Sequence, residues 1–233
     1  MIATVHIADI GKRATLGVLR RRPAPGAVSG LRYAETAIAA PLGGGLLPAP
    51  RLGRVSLIAA WDDDQAFDGF LAGHPLAERL AGGWHVRLEP LRVSGAWSAL
   101  PDLPPDEQPV DPDEPVAILT LGRLRLGRVA AFLRANAPAA GQAAGDPAVL
   151  AATGLARPPR LVATFSLWRS ASAMRDYAYG RSGDGHFAAI RAHRARPFHH
   201  ESAFVRFRPY AARGAWNGRE PLASAASVAT AQH

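Results

Sequence analysis

Two periods of apolar residues take turns along this chain. Ala203, Val205 and Phe207 fall on one side of a two-residue repeat and Phe204, Arg206 and Arg208 on the other, which predicts a half-buried strand. The runs at 55–61 (VSLIAAW) and 162–168 (VATFSLW) are apolar and of strand length. Helical spacing appears in Phe67, Phe70 and Leu71, in Val129, Phe132 and Leu133, and in Met174, Tyr177 and Ala178. Asp62 with Gln65 three residues on reads as a capping box, so a helix is expected directly after Trp61. Ser170 can cap the helix that follows Trp168. Further strands are expected at about 2–8, 31–40, 86–88 and 116–121, and a weakly marked one near 150–155. Helices are expected over about 11–21 and 126–134.

The two halves carry these elements in the same order. The Val-to-Trp spacing of 55–61 recurs in 162–168. Gly73-His74 corresponds to Gly185-His186, Val86-Arg87-Leu88 to Val205-Arg206-Phe207, and Ser94-Gly95-Ala96-Trp97 to Arg213-Gly214-Ala215-Trp216. The offset grows from 107 to 119 residues, so the loops differ in length. Between the halves lies 101–115 (PDLPPDEQPVDPDEP), with six prolines, six acids and no base. Such a segment holds neither a helix nor a central strand and reads as a linker. Each half then reads strand, helix, strand, strand, helix, strand, a ferredoxin-like unit. The predicted fold is α+β: tandem ferredoxin-like βαββαβ units, at 1–100 and 116–216, forming a pseudo-dimeric α/β barrel. The two sheets are expected to pack face to face, with an apolar pocket between sheet and helices. The Ala- and Ser-rich tail at 217–233 is expected to be flexible.

Composition narrows the chemistry. The 233 residues include no cysteine, which excludes disulfides, Cys-ligated zinc, iron–sulfur clusters and thiol catalysis. No apolar run approaches the roughly 18–20 residues of a membrane span. The first residues lack a charged stretch leading into an apolar one, so the cytoplasm is the expected compartment. Net charge is +8; Lys12 is the one lysine, and the other basic residues are arginines. Much of this arginine, with the abundant Ala, Gly and Pro, reflects compositional bias. Arginine forks nonetheless suit carboxylates and phosphates.

Nucleotide loops, zinc-protease motifs and nucleophile elbows are all missing. Gly43–Gly45 lacks the Lys and Ser/Thr that a phosphate loop needs, and Asp62–Asp64 reads as helix capping. Histidine is the informative residue type. Four of eight fall within 186–200: His186, His193, His199 and His200. His193 sits among arginines, as on a solvated face. His199 and His200 precede a strand, so alternation turns one inward. His186 opens an apolar helical stretch that continues through Phe187 and Ile190. A single histidine cannot hold zinc, but it can hold haem iron, because the porphyrin supplies four nitrogens. Met174, Tyr177, Tyr179, Phe187 and Phe198 would wall such a pocket, and would equally fill a core.

The stretch TFSLWRS at 164–170, then Met174, Arg175, Tyr177 and Tyr179, then His186, Ala189 and Ile190, then FHHESAFVRFRP at 198–209 resembles the spheroidene monooxygenase family. Thr153-Gly154-Leu155 and Arg157-Pro-Pro-Arg160 fit the lead-in to this block. The similarity covers roughly 115–210; the N-terminal half fits more loosely. The resemblance implies a monooxygenase with haem b (iron), acting on a carotenoid or another lipophilic substrate. It implies His186 as axial ligand, since no cysteine thiolate exists here, with Tyr177 or Tyr179 as weaker candidates. His199 is the candidate polar group beside bound oxygen and the rival ligand. Met174, Tyr177, Phe187, Phe198 and Arg206 are the other expected haem contacts. No flavin or ferredoxin domain is visible, so an external electron donor such as a ferredoxin is implied. Peripheral membrane contact and self-association stay open.

Three other readings compete. A haem lyase of the aldoxime-dehydratase type would need neither oxygen nor a reductant. A non-catalytic binder of haem or an apolar ligand would show no turnover. An RNA-binding module shares the βαββαβ topology, but the aromatic pattern of its central strand is missing, so no nucleic acid is expected.

Overall fold

The computed structural model describes residues 1–42, 51–100, 103, 108–179 and 198–223. In the first half β1 (Ile2–Asp9), α1 (Lys12–Arg20), β2 (Leu31–Ala40), β3 (Arg54–Trp61), α2 (Asp64–Gly73), α3 (Pro75–Leu80) and β4 (Trp84–Ala96) follow one another. The second half repeats the plan with β5 (Val116–Leu124), α4 (Val129–Gly145), β6 (Val149–Arg157), β7 (Leu161–Trp168), α5 (Ala171–Tyr179) and β8 (His199–Arg213). Within each half the spatial order of strands is fourth, first, third, second, all antiparallel. That is the ferredoxin-like order, so the fold is two such units in tandem.

The repeat holds at the level of register. Ile2 pairs with Trp61 as Val116 pairs with Trp168, and Val5 pairs with Ile58 and Val86 as Leu119 pairs with Phe165 and Val205. The sheets do not meet face to face as the sequence suggested. They join edge to edge, β2 to β6 and β4 to β8, and close an eight-stranded barrel. The β4–β8 seam runs over eleven residue pairs, whereas β2 and β6 meet over three, Ile38–Ala40 with Gly154–Ala156, so the ring closes through one long and one short ladder.

Inward positions fill the barrel. Val5, Ile58, Leu119, Phe165, Val205 and Phe207 share one buried cluster. Each such side chain contributes about 1.5–3 kcal/mol by leaving water. The two Gly-Ala-Trp turns plug opposite ends: Trp97 and Trp216 are both buried in that cluster. The turns need glycine, since Gly95 has φ +88° and Gly214 φ +89°. A Cβ on Gly214 would stand 2.0 Å from the Gly83 carbonyl oxygen.

Outward positions of the first half meet α2 and α3 in a second buried cluster that includes Leu57, Trp61, Phe67, Phe70, Leu76 and Leu80. The helix after Trp61 is capped one residue later than the sequence suggested. Asp63, not Asp62, accepts the hydrogen bond from the Ala66 amide, at 2.9 Å. Asp62 instead pairs with Arg32 across the neighbouring strand. Ser170 caps α5 as expected, accepting from the Ala173 amide at 3.1 Å. The described end of the linker lies against the barrel: the Gln108 amide donates to Leu91, and Pro112 and Glu114 accept the first amides of α5. Where the tail begins, Glu220 accepts a hydrogen bond from the Trp84 indole at 3.2 Å.

Candidate functional site

Duplication gives the barrel two equivalent outer faces, and their outward residues differ. In the first half His6, Leu57 and Ala59 are buried beneath Phe67 and Phe70. The registers place Thr120, Thr164 and Ser166 at the equivalent positions of the second half. These three are half-buried, as are Ile118 and Val162 beside them, and Phe204 across from Thr120 is exposed. The second face is thus a floor of hydroxyl groups with aliphatic neighbours, whereas the first is sealed by aromatic packing.

Two helices border this floor. Phe132 of α4 meets Phe198 and His199 edge-on, with ring centroids 6.1 Å and 5.2 Å away. The rest of α4 rests on β6, and its residues are mostly half-buried or exposed. At the other border α5 is anchored to β7: Trp168 and Tyr177 lie 4.9 Å apart, and Met174 is buried with Val116, Trp168 and Ala171. Burial pushes the Tyr177 hydroxyl above its ordinary pKa, with Asp146 adding to the effect. Arg206 is paired with Ile118, so it shares the outward row of Ile118 and Ser166.

His199 owes its place to a glycine. A Cβ built on Gly122 would stand 2.6 Å from both Cδ2 and Nε2 of His199. The imidazole therefore lies against bare backbone of β5, in space that any side chain at 122 would take. The Arg125 guanidinium donates to the His199 carbonyl at 3.1 Å and fixes the strand entry.

The sequence-predicted residues thus form two groups on one face. Phe198 and His199 stand at the C-terminal end of β5, beside Leu124; Met174 and Tyr177 stand near its start, where Val116 pairs with Trp168. Arg206 is between them. Those eight steps of strand span about 26 Å. His186, Phe187 and His193 lie outside the described residues, as do Gly43–Gly45 and the side chain of Tyr179. Among the described residues no cluster of three or more His, Asp or Glu could hold a bare metal ion.

Sequence reasoning missed Gly122, Phe132 and the hydroxyl floor. The signal was present in the repeat: outward apolar positions of the first half become Thr or Ser in the second. It also missed His6, which pairs across β1 and β4 with His85, ring centroids 4.9 Å apart. Neither His6 ring nitrogen has a hydrogen-bond partner among the described residues. Burial, helped by neighbouring His85, lowers its pKa to about 3. His74, the repeat partner of His186, serves the local fold, since its Nδ1 accepts the Leu76 amide at 3.1 Å and starts α3.

No family model matches the sequence. Over 188 residues the chain is 30% identical to the spheroidene monooxygenase of Rhodobacter capsulatus, covering 78% of this chain and 77% of that protein. It is 33% identical over 181 residues to that of Rubrivivax gelatinosus, covering 76% and 68%. The 28% identity to the Cereibacter sphaeroides spheroidene monooxygenase spans 57% of that protein's length. Among solved structures, an anthrone oxidase-like protein aligns over 94% of both chains at 13% identity and a TM-score of 0.35. A monooxygenase-like protein of Listeria innocua aligns over 88% of this chain and 93% of its own, at 10% identity and a TM-score of 0.30. No chemistry follows from these two structural likenesses.

Proposed function

The chain belongs to the spheroidene monooxygenase family, and on that premise we propose a haem-dependent monooxygenase whose substrate lies on the outer face of the C-terminal sheet. The observation that carries the placement is the contrast between the duplicated faces. One is sealed by Phe67 and Phe70; the other presents a half-exposed floor with His199 at its border. A packed face has no room for a ligand, and a half-open one does.

The residues there suit haem b. His199 brings an imidazole onto a stretch of backbone that glycine alone leaves clear. Arg206 shares the face and offers a guanidinium for a propionate. Haem, when bound, supplies the oxygen-activating chemistry. In the overall reaction one atom of dioxygen enters a C–H bond and the other leaves as water. Two electrons come from an external donor such as a ferredoxin, and two protons are taken up. The chain's own contribution is to bind and exclude water. Phe132 shields His199 from one side, Thr120, Thr164 and Ser166 offer hydroxyls that can pass a proton, and Val162 and Ile118 receive apolar substrate. The substrate class is a carotenoid or another lipophilic metabolite. Exposed Phe204 and Leu126 suit delivery from a membrane surface.

The test is the absorption spectrum of protein made in cells supplied with haem precursor, followed by turnover in labelled dioxygen. A Soret band, with label in the product only when reductant is present, supports the reading. Protein without haem affinity overturns it, and product formed without oxygen assigns a lyase instead. Substitution decides the ligand: His186→Ala abolishing the band assigns His186, His199→Ala abolishing it assigns His199, and His74→Ala is expected to leave it intact.

A further inference from the structure

The helix α1 presents an outer face that no contact within the described fold uses. Thr15 and Val18 turn to the sheet and are buried, and Arg22, just past the helix end, is committed to buried Glu35. Lys12, Arg13, Leu16 and Arg20 are exposed, as is Arg21, which ends the helix. Spacings of three and four residues gather Lys12, Arg13 and Arg20 around Leu16. Leu16 is 58% exposed, more than any other large apolar side chain among the described residues.

Neighbouring segments extend this face. The Ile10 and Gly11 amides donate to the Gly53 carbonyl at 2.8 Å and 3.2 Å, which brings Arg51 and Leu52 beside the start of α1. Both are exposed, Leu52 to 49%. Gly17 leaves room for Arg79 of α3, whose Nη1 would lie 3.9 Å from a Cβ at that position. Six cations, Lys12, Arg13, Arg20, Arg21, Arg51 and Arg79, thus surround two bare leucines, and none of the six has an ion-pair partner among the described residues. Nearby Asp9 is held by Arg54 at 2.6 Å, and exposed Glu78 stands next to Arg79 in sequence.

Neither composition nor helix stability accounts for the cluster. The equivalent helix of the second half, α4, has 17 residues and one arginine, Arg134, under the same compositional bias. Lys12 and Arg13 occupy the first turn of α1, with no acid beside them and no side-chain cap, where the helix dipole repels a cation. They are placed at a cost to the helix, which points to a partner outside it. Cations alone suit any polyanion, but a phosphate backbone gains nothing from exposed leucines. A bilayer surface takes up both, the charges at its head groups and the leucines among its acyl chains.

We propose that α1, with Arg51, Leu52 and Arg79, docks the protein on an anionic phospholipid bilayer. Leu16 and Leu52 dip below the head groups, and the six cations meet the anionic lipids. The surface belongs to the N-terminal half, so it holds whether or not the C-terminal face carries haem.

The full chain is sedimented with vesicles of phosphatidylcholine, and of phosphatidylcholine with a third phosphatidylglycerol. Binding is expected to the second alone. It should fall away as salt rises from about 0.1 M to about 1 M, which shortens the screening length from about 10 Å to about 3 Å. Arg13→Gln with Arg20→Gln should weaken it about twenty-five-fold, at about fivefold per cation. Arg128→Gln with Arg134→Gln removes the same charge elsewhere and should leave it within about twofold. Because the chain has no cysteine, Leu16→Cys and Leu126→Cys each take one environment-sensitive dye. The dye at 16 should shift to the blue on anionic vesicles. No shift there overturns the proposal, and a shift at 126 alone gives the contact to the face of Leu126 and Phe204 instead. Equal binding to both vesicle compositions, or equal loss in the two double variants, also overturns it. So does single-stranded RNA that, at equal phosphate, strips the protein from the vesicles, which would make the surface one for nucleic acid.

Discussion

Acid should destabilise this protein through His6. The imidazole is 2% exposed, flanked by Phe67 and Phe70 from α2 and by His85 from β4. Above it Arg87 lies over the Phe67 ring and is paired with Asp64 and Asp68, and Tyr210 donates to Asp64. Burial holds the folded-state pKa near 3, against 6.5 in the unfolded chain. A depressed histidine pKa means that the folded state prefers the neutral ring. Its full contribution is present above pH 6.5 and is lost as pH falls toward 3, because the unfolded state binds the proton first. At about 1.36 kcal/mol per pKa unit, the ceiling is on the order of 5 kcal/mol. By pH 5 about 2 kcal/mol is gone, a sizeable part of the roughly 5–15 kcal/mol that holds a domain together. The assay is urea unfolding at pH 8 and pH 5 for the parent and for His6→Leu. The leucine variant should lose about 2 kcal/mol less between the two pH values. At pH 8 it should be no less stable, since it removes two buried nitrogens without partners. Equal losses in parent and variant would refute the reasoning, because the acid sensitivity would then belong to other groups.

Three further outcomes follow from local geometry. Gly214→Ala should cost about 2 kcal/mol or more by thermal unfolding, since it adds left-handed strain to a contact at 2.0 Å. Gly11→Ala, with φ +80°, ψ 153° and no atom within 4 Å, should cost only the backbone strain of a conformation reserved for glycine, about 1–3 kcal/mol. Asp63→Ala should cost about 1 kcal/mol in urea unfolding through the lost cap, and Asp62→Ala, which breaks an exposed pair, markedly less. Gly122→Ala should displace His199, read as a shifted haem spectrum at unchanged secondary-structure content by circular dichroism; an identical spectrum would show that His199 is remote from the haem.

The order of elements was legible in the residues themselves. Strand 31–40, the weak strand near 150–155 and both Val-to-Trp strands stand where alternation and apolar runs put them, because those patterns act over a few residues and depend on local geometry. The duplication was legible for the same reason, since a Val-to-Trp spacing survives when loops change length. The family was legible in the block at 164–209. Edge-to-edge closure was not, because either way of burying two apolar sheet faces satisfies the same alternation, and pairing both sets of edges is decided by the twist and length of whole strands. The cap shifted from Asp62 to Asp63 because Arg32, remote in sequence, holds the first carboxylate. His6 looked like any strand residue until α2 covered it. The difference between the two outer faces, and between Glu35 and Thr153 at the two ends of the barrel, is written in the sequence. It acquires meaning only through the pseudo-twofold axis, which brings equivalent positions together for comparison and shows where side-chain size and polarity differ between them.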